Sequence, residues 1–354
     1  MPQTLFDGVR GQLLHLIPRF GLCNKAQFIL EALELICGAS LRLPPGAQRP
    51  EACRLNRDGT AIQFSLALTA GLSPRLQFLG EAGAHGLDAA ERAAVGLETM
   101  EAVARLAGAR EEFREALPLL REMTPEDLGP SMGSGPGVYW IGVSFPPAGE
   151  PAMTAYVNAR FGDEPAQWER AGRFAASFGR SVAWERIEAE FRGRLAPLGV
   201  AMTLAAGRPP SGRIYCSAYG LPFLYYQQTL PQVSGDSLSG ELLDRYVEAM
   251  IGGDRNYPSQ SAVCSVEFDE EGSNVKFELC AHCAFATDAE ASARCGRWLD
   301  SEGLDAGLYR DTIRLLGGAR GTGRPELHAY VGVGARRGEP YSTFYLNPGP
   351  GLAS

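Results

Sequence analysis

The stretch VYWIGVSFPPAGEPAMTAYVNARF, residues 138–161, contains two runs of β-forming residues joined by a turn rich in Pro and Gly. This pattern predicts a hairpin with strands at 138–145 and 152–161. The segments that follow, at 165–179 and 181–199, have apolar residues at three-to-four spacing, which is typical of amphipathic helices. The stretch and its surroundings therefore predict a strand–strand–helix–helix unit.

The same unit recurs over the rest of the chain, with a period of about 65 residues and negligible identity between repeats. Further hairpins are predicted at 60–82, 200–219, 262–282 and 327–347, and further helical segments at 88–120, 237–253, 288–303 and 306–318. Antiparallel strands in consecutive hairpins need their outer edges hidden, and closure into a barrel does this. The sequence predicts an α+β fold, a ten-stranded antiparallel β-barrel of repeated ββαα units with an outer ring of helices. Two sandwiched α+β domains that divide near residue 199 are the alternative.

Length and composition agree with one large domain. The chain has 354 residues, 45% of them hydrophobic, which is enough for a sizeable core. We expect N-terminal helices within 1–50, a barrel over 55–348 and a loose tail at 349–354, all in a single domain over 1–354. The formal net charge of −8 disfavours nucleic acid and anionic membranes as partners. No apolar run is long enough to cross a bilayer, and the eight Cys residues lie mostly in apolar surroundings, which predicts reduced thiols in a cytoplasmic protein.

One face of the predicted strands carries an unusual set of polar and aromatic side chains. Side chains alternate between the two faces of a strand, so this set should share one face. Its members are Arg75, Gln77, Glu81, Thr154, Tyr156, Asn158, Arg213, Tyr215, Ser217, Tyr219, Lys276, Glu278, Cys280, His328, Tyr330, Thr343 and Tyr345. The opposite face is mainly apolar, and we expect it to pack under the outer helices. The polar and aromatic face should then point into the interior of the barrel, its lumen.

Cations among tyrosines indicate a particular chemistry. Arg and Lys side chains bind a multiply charged anion such as diphosphate, especially where water is scarce. The faces of tyrosine rings stabilise a carbocation and exclude the water that would quench it. Together they favour a site that ionises an allylic diphosphate and passes the cation to a nucleophile. The alternative is a solvated strand face on which tyrosine serves only as a good β-former.

The order and spacing of these motifs resemble the ABBA prenyltransferases, and in particular their dimethylallyltryptophan synthase branch of bacterial indole prenyltransferases. The resemblance covers about residues 55–348 and rests on RDGTAIQFSLAL (57–68), LQFLGEAG (76–83), SGRIYCSAY (211–219) and the closing hairpin ELHAYVGVGARRGEPYSTFYLNP (326–348). It implies transfer of a dimethylallyl or longer prenyl group from its diphosphate to an electron-rich aromatic acceptor. Tryptophan or an indole-containing metabolite is the first expectation for the acceptor, and a side chain of a cyclic or linear peptide is the second.

The resemblance and the strand parity assign roles to individual residues. Diphosphate binding is expected at Arg75, Arg213, Lys276 and Arg336, and shielding of the cation at Tyr156, Tyr215, Tyr330 and Tyr345. Gln63 stands where the family usually has a Glu that takes the indole N–H proton, and Gln accepts a hydrogen bond but carries no proton away. Gln77 and Thr154 stand where the family has basic residues. We therefore hypothesise that Glu278, or second to it Glu81, supplies the missing carboxylate.

Several other features bear on cofactors and on rival functions. The chain has no DDxxD-like acidic pair, so no cofactor is predicted to be required, with magnesium left open. Cys280 and Cys283 form a CxxC with His282 inside it, but on a strand the two thiols would face opposite sides and no second pair lies nearby. We therefore predict no metal site there. The aromatic segment 221–231 is either a lid or helix packing. A noncatalytic barrel that binds an isoprenoid is the rival function, and it would not need the cations.

Overall fold

The computed structural model describes residues 4–44, 47, 53, 55–83, 87–124, 128, 137–217, 221–234, 238–252, 262–269, 272–317, 325–336 and 338–348. The tail predicted at 349–354 lies outside the described residues. The strands are β1 (Ile62–Thr69), β2 (Arg75–Gly80), β3 (Tyr139–Phe145), β4 (Ala152–Asn158), β5 (Ala196–Leu204), β6 (Ser211–Ser217), β7 (Ala262–Asp269), β8 (Gly272–Cys280), β9 (His328–Arg336) and β10 (Glu339–Leu346). The helices are α1 (Leu5–Arg19), α2 (Ala26–Leu41), α3 (Ala89–Leu106), α4 (Arg110–Glu122), α5 (Glu164–Ser177), α6 (Ser181–Phe191), α7 (Phe223–Ser234), α8 (Gly240–Ile251), α9 (Ala281–Ala284), α10 (Asp288–Ser301) and α11 (Ala306–Leu315).

The ten strands form one closed antiparallel barrel in chain order, and β1 pairs with β10 to complete it. The pairing across this seam runs from Phe64–Leu346 to Thr69–Tyr341. The predicted ten-stranded barrel is confirmed. The alternative of two domains dividing near residue 199 is wrong, because Gly199 lies inside β5, which pairs with both β4 and β6.

The main core lies between the outer face of the barrel and the helices. The outward parity of the strands is apolar and almost fully buried, as at Phe78, Ile214, Phe277 and Phe344. Helix starts are fixed locally, since side chains such as Asp88 and Thr287 accept hydrogen bonds from the free amides of the first turn. Because the helices cover the apolar face, the polar face of each strand is left to line the lumen.

The predicted boundary between α6 and β5 is wrong. The helix expected over 181–199 ends at Phe191, and β5 begins at Ala196. Gly193 adopts φ +78, a conformation that ends a helix, and Pro197 cannot donate a helical hydrogen bond. The helical segment 88–120 supplies the two helices that the repeated unit requires, and Gly108, with φ +72, separates α3 from α4.

Two open or mistaken predictions concern segments next to β8. The aromatic segment 221–231 forms most of α7, where Phe223 and Tyr226 pack on Phe277 from outside the barrel, so it is packing and not a lid. The prediction that Cys280 and Cys283 face opposite sides is wrong. Strand β8 ends at Cys280 and the chain turns at once into α9, which brings the ligand atoms of Cys280, His282 and Cys283 within 4.8 Å of one another.

Candidate active site

The lumen holds two chambers that meet at a pair of tyrosines. We call the first the basic chamber, a cavity of about 520 Å³ whose lining includes Arg75, Gln77, Thr154, Tyr156, Arg213, Glu267, Lys276, Arg336, Tyr341 and Tyr345. We call the second the aromatic chamber, a cavity of about 230 Å³ whose lining includes Leu55, Gln63, Leu79, Trp140, Tyr156, Arg160, Tyr215, Glu278, Tyr330 and Tyr345. Tyr156 and Tyr345 line both chambers. All ten residues predicted for the site thus line one chamber or both.

The basic chamber gathers the four predicted cations, Arg75, Arg213, Lys276 and Arg336, from four different strands. The register explains two of these positions: Arg213 of β6 lies opposite Glu267 of β7, and Tyr215 and Lys276 both lie opposite Ser265. Like charges held this close repel one another unless an anion lies among them. The chamber is therefore suited to an anion with several negative charges.

Glu267 supplies part of that negative charge from within the protein. Its carboxylate accepts from Arg213 at 2.9 Å and from Arg336 at 3.4 Å. Burial alone would raise the pKa of Glu267, but the charges of Arg213 and Arg336 hold it below its usual value. Burial would likewise lower the pKa of Arg213, and Glu267 raises it above its usual value. An incoming anion must therefore share or replace the ion pairs of Glu267.

Lys276 lies at the junction of the two chambers. Its ammonium donates to the hydroxyl of Tyr345 at 2.7 Å and forms an ion pair with Glu278. Both partners of this pair are nearly inaccessible to solvent, at 6% and 5% side-chain exposure. Burial lowers the pKa of Lys276, the charge of Glu278 opposes that effect, and the charge of Arg213 adds to it. A negative charge delivered to the basic chamber would favour the protonated form of Lys276.

Four tyrosine rings surround the boundary between the chambers. The rings of Tyr156 and Tyr215 lie 6.1 Å apart, and those of Tyr330 and Tyr345 meet edge to face at 6.3 Å. Burial raises the pKa of Tyr156 and of Tyr345, so both phenols stay neutral at ordinary pH. Gly142 makes room for this arrangement, because a Cβ there would lie 3.0 Å from the Tyr156 ring. Neutral aromatic faces that are largely shielded from water are a suitable surface for a carbocation.

Gln63 is buried in the aromatic chamber and its orientation is fixed by Asn56. The Asn56 amide nitrogen donates to the carbonyls of Thr60 and Ile62, at 2.9 and 2.6 Å. Its oxygen must then accept from the Gln63 amide nitrogen, at 3.0 Å. The oxygen of Gln63 is thereby turned away from Asn56 and can accept a hydrogen bond from a ligand.

Glu278 is the carboxylate that the structure places in the aromatic chamber. It lies opposite Val263 of β7 and Gly332 of β9, and a Cβ at Gly332 would come within 2.9 Å of the Glu278 side chain. Glu81, the second choice for this role, lines neither chamber as described. It forms a buried ion pair with Arg92 of α3 and accepts from Cys53 at 3.1 Å.

Within the described part of the predicted inward set, His328 points the other way, and Tyr219 lies outside the described residues. His328 was expected to face the lumen, but its ring donates to Asp288 at 2.8 Å and lies 2.8 Å from the hydroxyl of Tyr309, on the outer helices. The cause is a register shift between Tyr345 and Leu346 in β10, next to which the alternation of faces is broken. Hydrogen bonds from His328 and from backbone amides lower the pKa of Asp288 to about 2 even though burial opposes this. The three side chains attach β9 to α10 and α11.

The lining residues that sequence analysis missed include two charged and two aromatic side chains: Glu267, Arg160, Tyr341 and Trp140. Tyr341 shares the parity of Thr343 and Tyr345 and was open to detection by alternation. Glu267 shares the parity of Ser265 on β7, the first strand of its hairpin, where the polar set was not sought. Arg160 follows the end of β4, so strand alternation does not place it.

The fold and the paired chambers can be compared with known proteins. A closed barrel of ββαα units with helices outside is the ABBA fold, so the predicted fold type is confirmed. No protein-family model and no curated protein matches the chain. Solved structures do match it over nearly its whole length.

Three of these structures define the likeness. The 5-dimethylallyltryptophan synthase from Streptomyces coelicolor matches with a TM-score of 0.83 and 21% identity, over 99% of both chains. The 6-dimethylallyltryptophan synthase from Micromonospora olivasterospora, solved in complex with DMASPP and Trp, matches with 0.84 and 18%, over 98% of both chains. The prenyltransferase PriB matches with 0.80 and 22%, over 97% of this chain and 96% of its own. At these identities the likeness establishes the fold.

Proposed function

We propose that the protein is an aromatic prenyltransferase that transfers a dimethylallyl group from its diphosphate to tryptophan or an indole-containing metabolite. The observation that carries the proposal is the pair of chambers, one with four cations and one aromatic, which meet at Tyr156 and Tyr345. A charged leaving group and an apolar acceptor need such separate surroundings, with the reactive carbon between them. The similar solved structures support this proposal, since two dimethylallyltryptophan synthases were crystallised with DMASPP and Trp.

The basic chamber binds the diphosphate and promotes its departure. Arg213, Lys276 and Arg336 donate to its oxygens, with Arg75 at the exposed mouth. Scission of the bond between the allylic carbon and oxygen leaves both bonding electrons on the diphosphate. Preorganised cations stabilise this growing charge most strongly in the transition state, which is how they accelerate the step.

The tyrosines then hold the allyl cation until the acceptor attacks. Tyr156 and Tyr345 face both chambers, and Tyr215 and Tyr330 flank them on the acceptor side. Their rings stabilise the cation, and their bulk keeps out the water that would turn it into an alcohol. A ring carbon of the indole supplies the electron pair for the new bond, and the ring later loses a proton.

Gln63 and Glu278 serve the acceptor in this proposal. The Gln63 oxygen accepts a hydrogen bond from the indole N–H and so orients the ring. Glu278 takes the proton released when the ring regains its aromaticity. The ion pair of Glu278 with Lys276 connects this base to the diphosphate side. Product and diphosphate leave, and Glu278 passes the proton to solvent, which returns the carboxylate to its starting form.

Arg160 favours a free amino acid over a peptide as the acceptor. It is the one cationic side chain in the described lining of the aromatic chamber. It lies beyond the last residue of β4, with an exposed side chain. A free α-carboxylate would pair with it, whereas the carboxyl of a tryptophan inside a peptide is an uncharged amide.

Cofactor, location and domain structure belong to the same proposal. Four cations already provide the charge that a magnesium ion would bring to the diphosphate, so we infer that the reaction needs no metal.

The described helices include none long and apolar enough to cross a membrane. With eight free thiols, a cytoplasmic location is the one we infer. We also infer that residues 1–354 form one domain.

A noncatalytic isoprenoid-binding barrel would have the same fold but no use for the basic chamber. The four cations of the basic chamber outnumber Glu267 and Glu278, the carboxylates that pair with Arg213, Arg336 and Lys276, and a neutral isoprenoid does not offset the remaining positive charge. The charged chamber therefore supports catalysis over passive binding.

Mass spectrometry of products tests the proposal. The protein is incubated with dimethylallyl or geranyl diphosphate and with tryptophan, tryptophan methyl ester, indole, tyrosine or a tryptophan-containing cyclic dipeptide. We expect a prenyl adduct on tryptophan with equimolar diphosphate release, and a weaker reaction of the ester, which lacks the carboxylate for Arg160. Absence of adduct and of diphosphate release with every pair, together with tight binding of a prenyl alcohol, would instead support the binding barrel.

A further inference from the structure

One cluster of reactive side chains has no part in prenyl transfer. Strand β8 turns Lys276, Glu278 and Cys280 to the lumen in sequence, and about 7 Å of strand separates one from the next. The first lines the basic chamber and the second the aromatic chamber, so Cys280 lies beyond both, at the acceptor end of the barrel. There the chain leaves the strand and forms the single turn of α9.

That turn brings three side chains that can bind a metal ion close together. The ligand atoms of Cys280, His282 and Cys283 all lie within 4.8 Å of one another. The Cys280 sulfur is 2.8 Å from Nδ1 of His282 and 3.6 Å from Nε2. No disulfide joins the two cysteines, since both thiols are free.

These separations are close to those of a metal site. Zinc binds thiolate sulfur at about 2.3 Å and imidazole nitrogen at about 2.0–2.1 Å with tetrahedral angles, which puts neighbouring ligand atoms about 3.6–3.8 Å apart. The C-x-x-C spacing also suits a pair of thiolates on one ion, because a turn brings both to the same side. The Cys280 sulfur and Nε2 of His282 are 3.6 Å apart, within this range. The backbone turn that such a site requires is already formed.

We propose that Cys280, His282 and Cys283 bind one Zn²⁺ ion at the acceptor end of the barrel. The cluster has three members among the described residues, so the fourth position is left to water or to an external ligand. Binding converts two thiols to thiolates and leaves the imidazole neutral, so each Zn²⁺ that binds releases two protons. No electron transfer is involved.

The site lies next to the aromatic chamber through Tyr330. Cys280 is directly opposite Tyr330 in the pairing of β8 with β9, and Tyr330 lines that chamber. Cys280 is buried, His282 is partly exposed and Cys283 is exposed, so the ion reaches the site from solvent. Zinc there fixes the corner between β8 and α9 that supports this tyrosine.

Metal titration of the whole chain tests the proposal. The thiol-reduced protein, stripped with a chelator, is titrated with Zn²⁺ against a chromophoric competitor and, separately, with Co²⁺, whose thiolate charge-transfer and tetrahedral d–d bands identify the ligands. We expect one ion per chain, release of two protons per ion, and affinity at least about 100-fold weaker in Cys283→Ser and His282→Ala. Cys23→Ser is the matched control, because Cys23 is the other exposed free cysteine. It should bind zinc like the unaltered protein.

Thermal unfolding gives a second measurement that does not depend on activity. Zinc that binds only the folded chain raises Tm, and the rise should be present in Cys23→Ser and absent in Cys283→Ser. Absence of stoichiometric binding, equal affinity in Cys283→Ser, or a Cys280–Cys283 disulfide as the ordinary state in reducing buffer would each overturn the proposal. These readouts are independent of prenyl transfer, so the failure of one leaves the other standing.

Discussion

The basic and aromatic chambers share Tyr156 and Tyr345 but differ in what holds their remaining side chains in place. In the basic chamber, Arg213 and Arg336 are balanced by the single carboxylate of Glu267. In the aromatic chamber, Gln63 is fixed by a neutral hydrogen bond that its amide nitrogen donates to Asn56. The first arrangement changes when an anion arrives, whereas the second is complete beforehand.

This difference indicates how the two substrates are recognised. A diphosphate competes with an internal carboxylate, so its affinity depends on charge and on pH. An indole meets a preformed and nearly neutral surface, so its affinity depends on shape and on a few hydrogen bonds. Substitutions in one chamber should therefore change the kinetics of one substrate and spare those of the other.

The largest effect is expected in the basic chamber. Arg213→Ala should lower kcat/KM for the prenyl diphosphate by about 100- to 1,000-fold, because a partly buried donor to the leaving group is lost. Tryptophan binding, measured by calorimetry, should stay within about twofold. Arg208→Ala, on an exposed turn, is the control and should behave like the unaltered protein. Unchanged donor kinetics in Arg213→Ala would exclude the basic chamber as the diphosphate site.

The next largest effect concerns the proposed base. Glu278→Gln should lower kcat by about 100-fold or more, as is usual when a proton acceptor is lost. The donor KM should not rise, because the variant removes a negative charge near the diphosphate. Steady-state rates with the donor varied at saturating tryptophan check both values. Turnover equal to that of the unaltered protein would exclude Glu278 as the base.

Alkaline pH should affect the donor and spare the acceptor. Burial lowers the pKa of Lys276 below the ordinary value for lysine, and only the protonated form binds the diphosphate. As pH rises through the lowered pKa, the ammonium charge is lost and the donor KM should rise, approaching tenfold per pH unit. Lys276→Arg should move this rise to higher pH, since arginine stays charged. The same rise in the tryptophan KM would mean that the chambers are not separate.

A smaller effect is expected on the acceptor side. Gln63→Leu removes the hydrogen-bond acceptor for the indole N–H and should raise the tryptophan KM by about tenfold, equal to about 1.4 kcal/mol. The donor KM should be unaffected. The control is 1-methyltryptophan as the acceptor for the unaltered protein and for Gln63→Leu. This compound has no indole N–H to donate, so its KM should be the same for the two proteins. A large preference of Gln63→Leu for either compound would contradict the assigned contact.

The smallest effect is an improvement in donor binding. Glu267→Gln removes the internal competitor and should lower the donor KM by roughly fivefold, the value of a partly exposed ion pair of about 1 kcal/mol. Initial rates at low salt measure the change best, since salt screens such pairs. A higher donor KM would show that Glu267 positions Arg213 and does not compete with the diphosphate.

The sequence was sufficient to predict the features that depend on the alternation of side chains between the two faces of a strand. Strand period and turn residues predicted the barrel, and parity brought Arg75, Tyr156 and Lys276 to the lumen, where the structure has them. Where alternation fails, prediction fails too. A shift of register in β10 turned His328 outward, and the end of β8 at Cys280 assembled a cluster that a continuing strand would have separated.

Side-chain contacts across the barrel were a further limit on what could be predicted from the sequence. The Glu267–Arg336 pair joins β7 to β9, strands that are not neighbours, so spacing along the chain does not suggest it. Asn56 fixes Gln63 from a segment before the first strand, through hydrogen bonds that depend on the local turn. Such contacts depend on three-dimensional geometry, which one-dimensional periodicity does not contain.

A crystal structure with an unreactive thiolodiphosphate analogue of the donor and with tryptophan tests the central claim most directly. We expect the diphosphate within hydrogen-bond distance of Arg213 and Lys276, and the allylic carbon against the rings of Tyr156 and Tyr345. The indole N–H should donate to Gln63 in the aromatic chamber. A diphosphate outside the basic chamber, or an indole within it, would contradict the division of the lumen on which the proposed function depends.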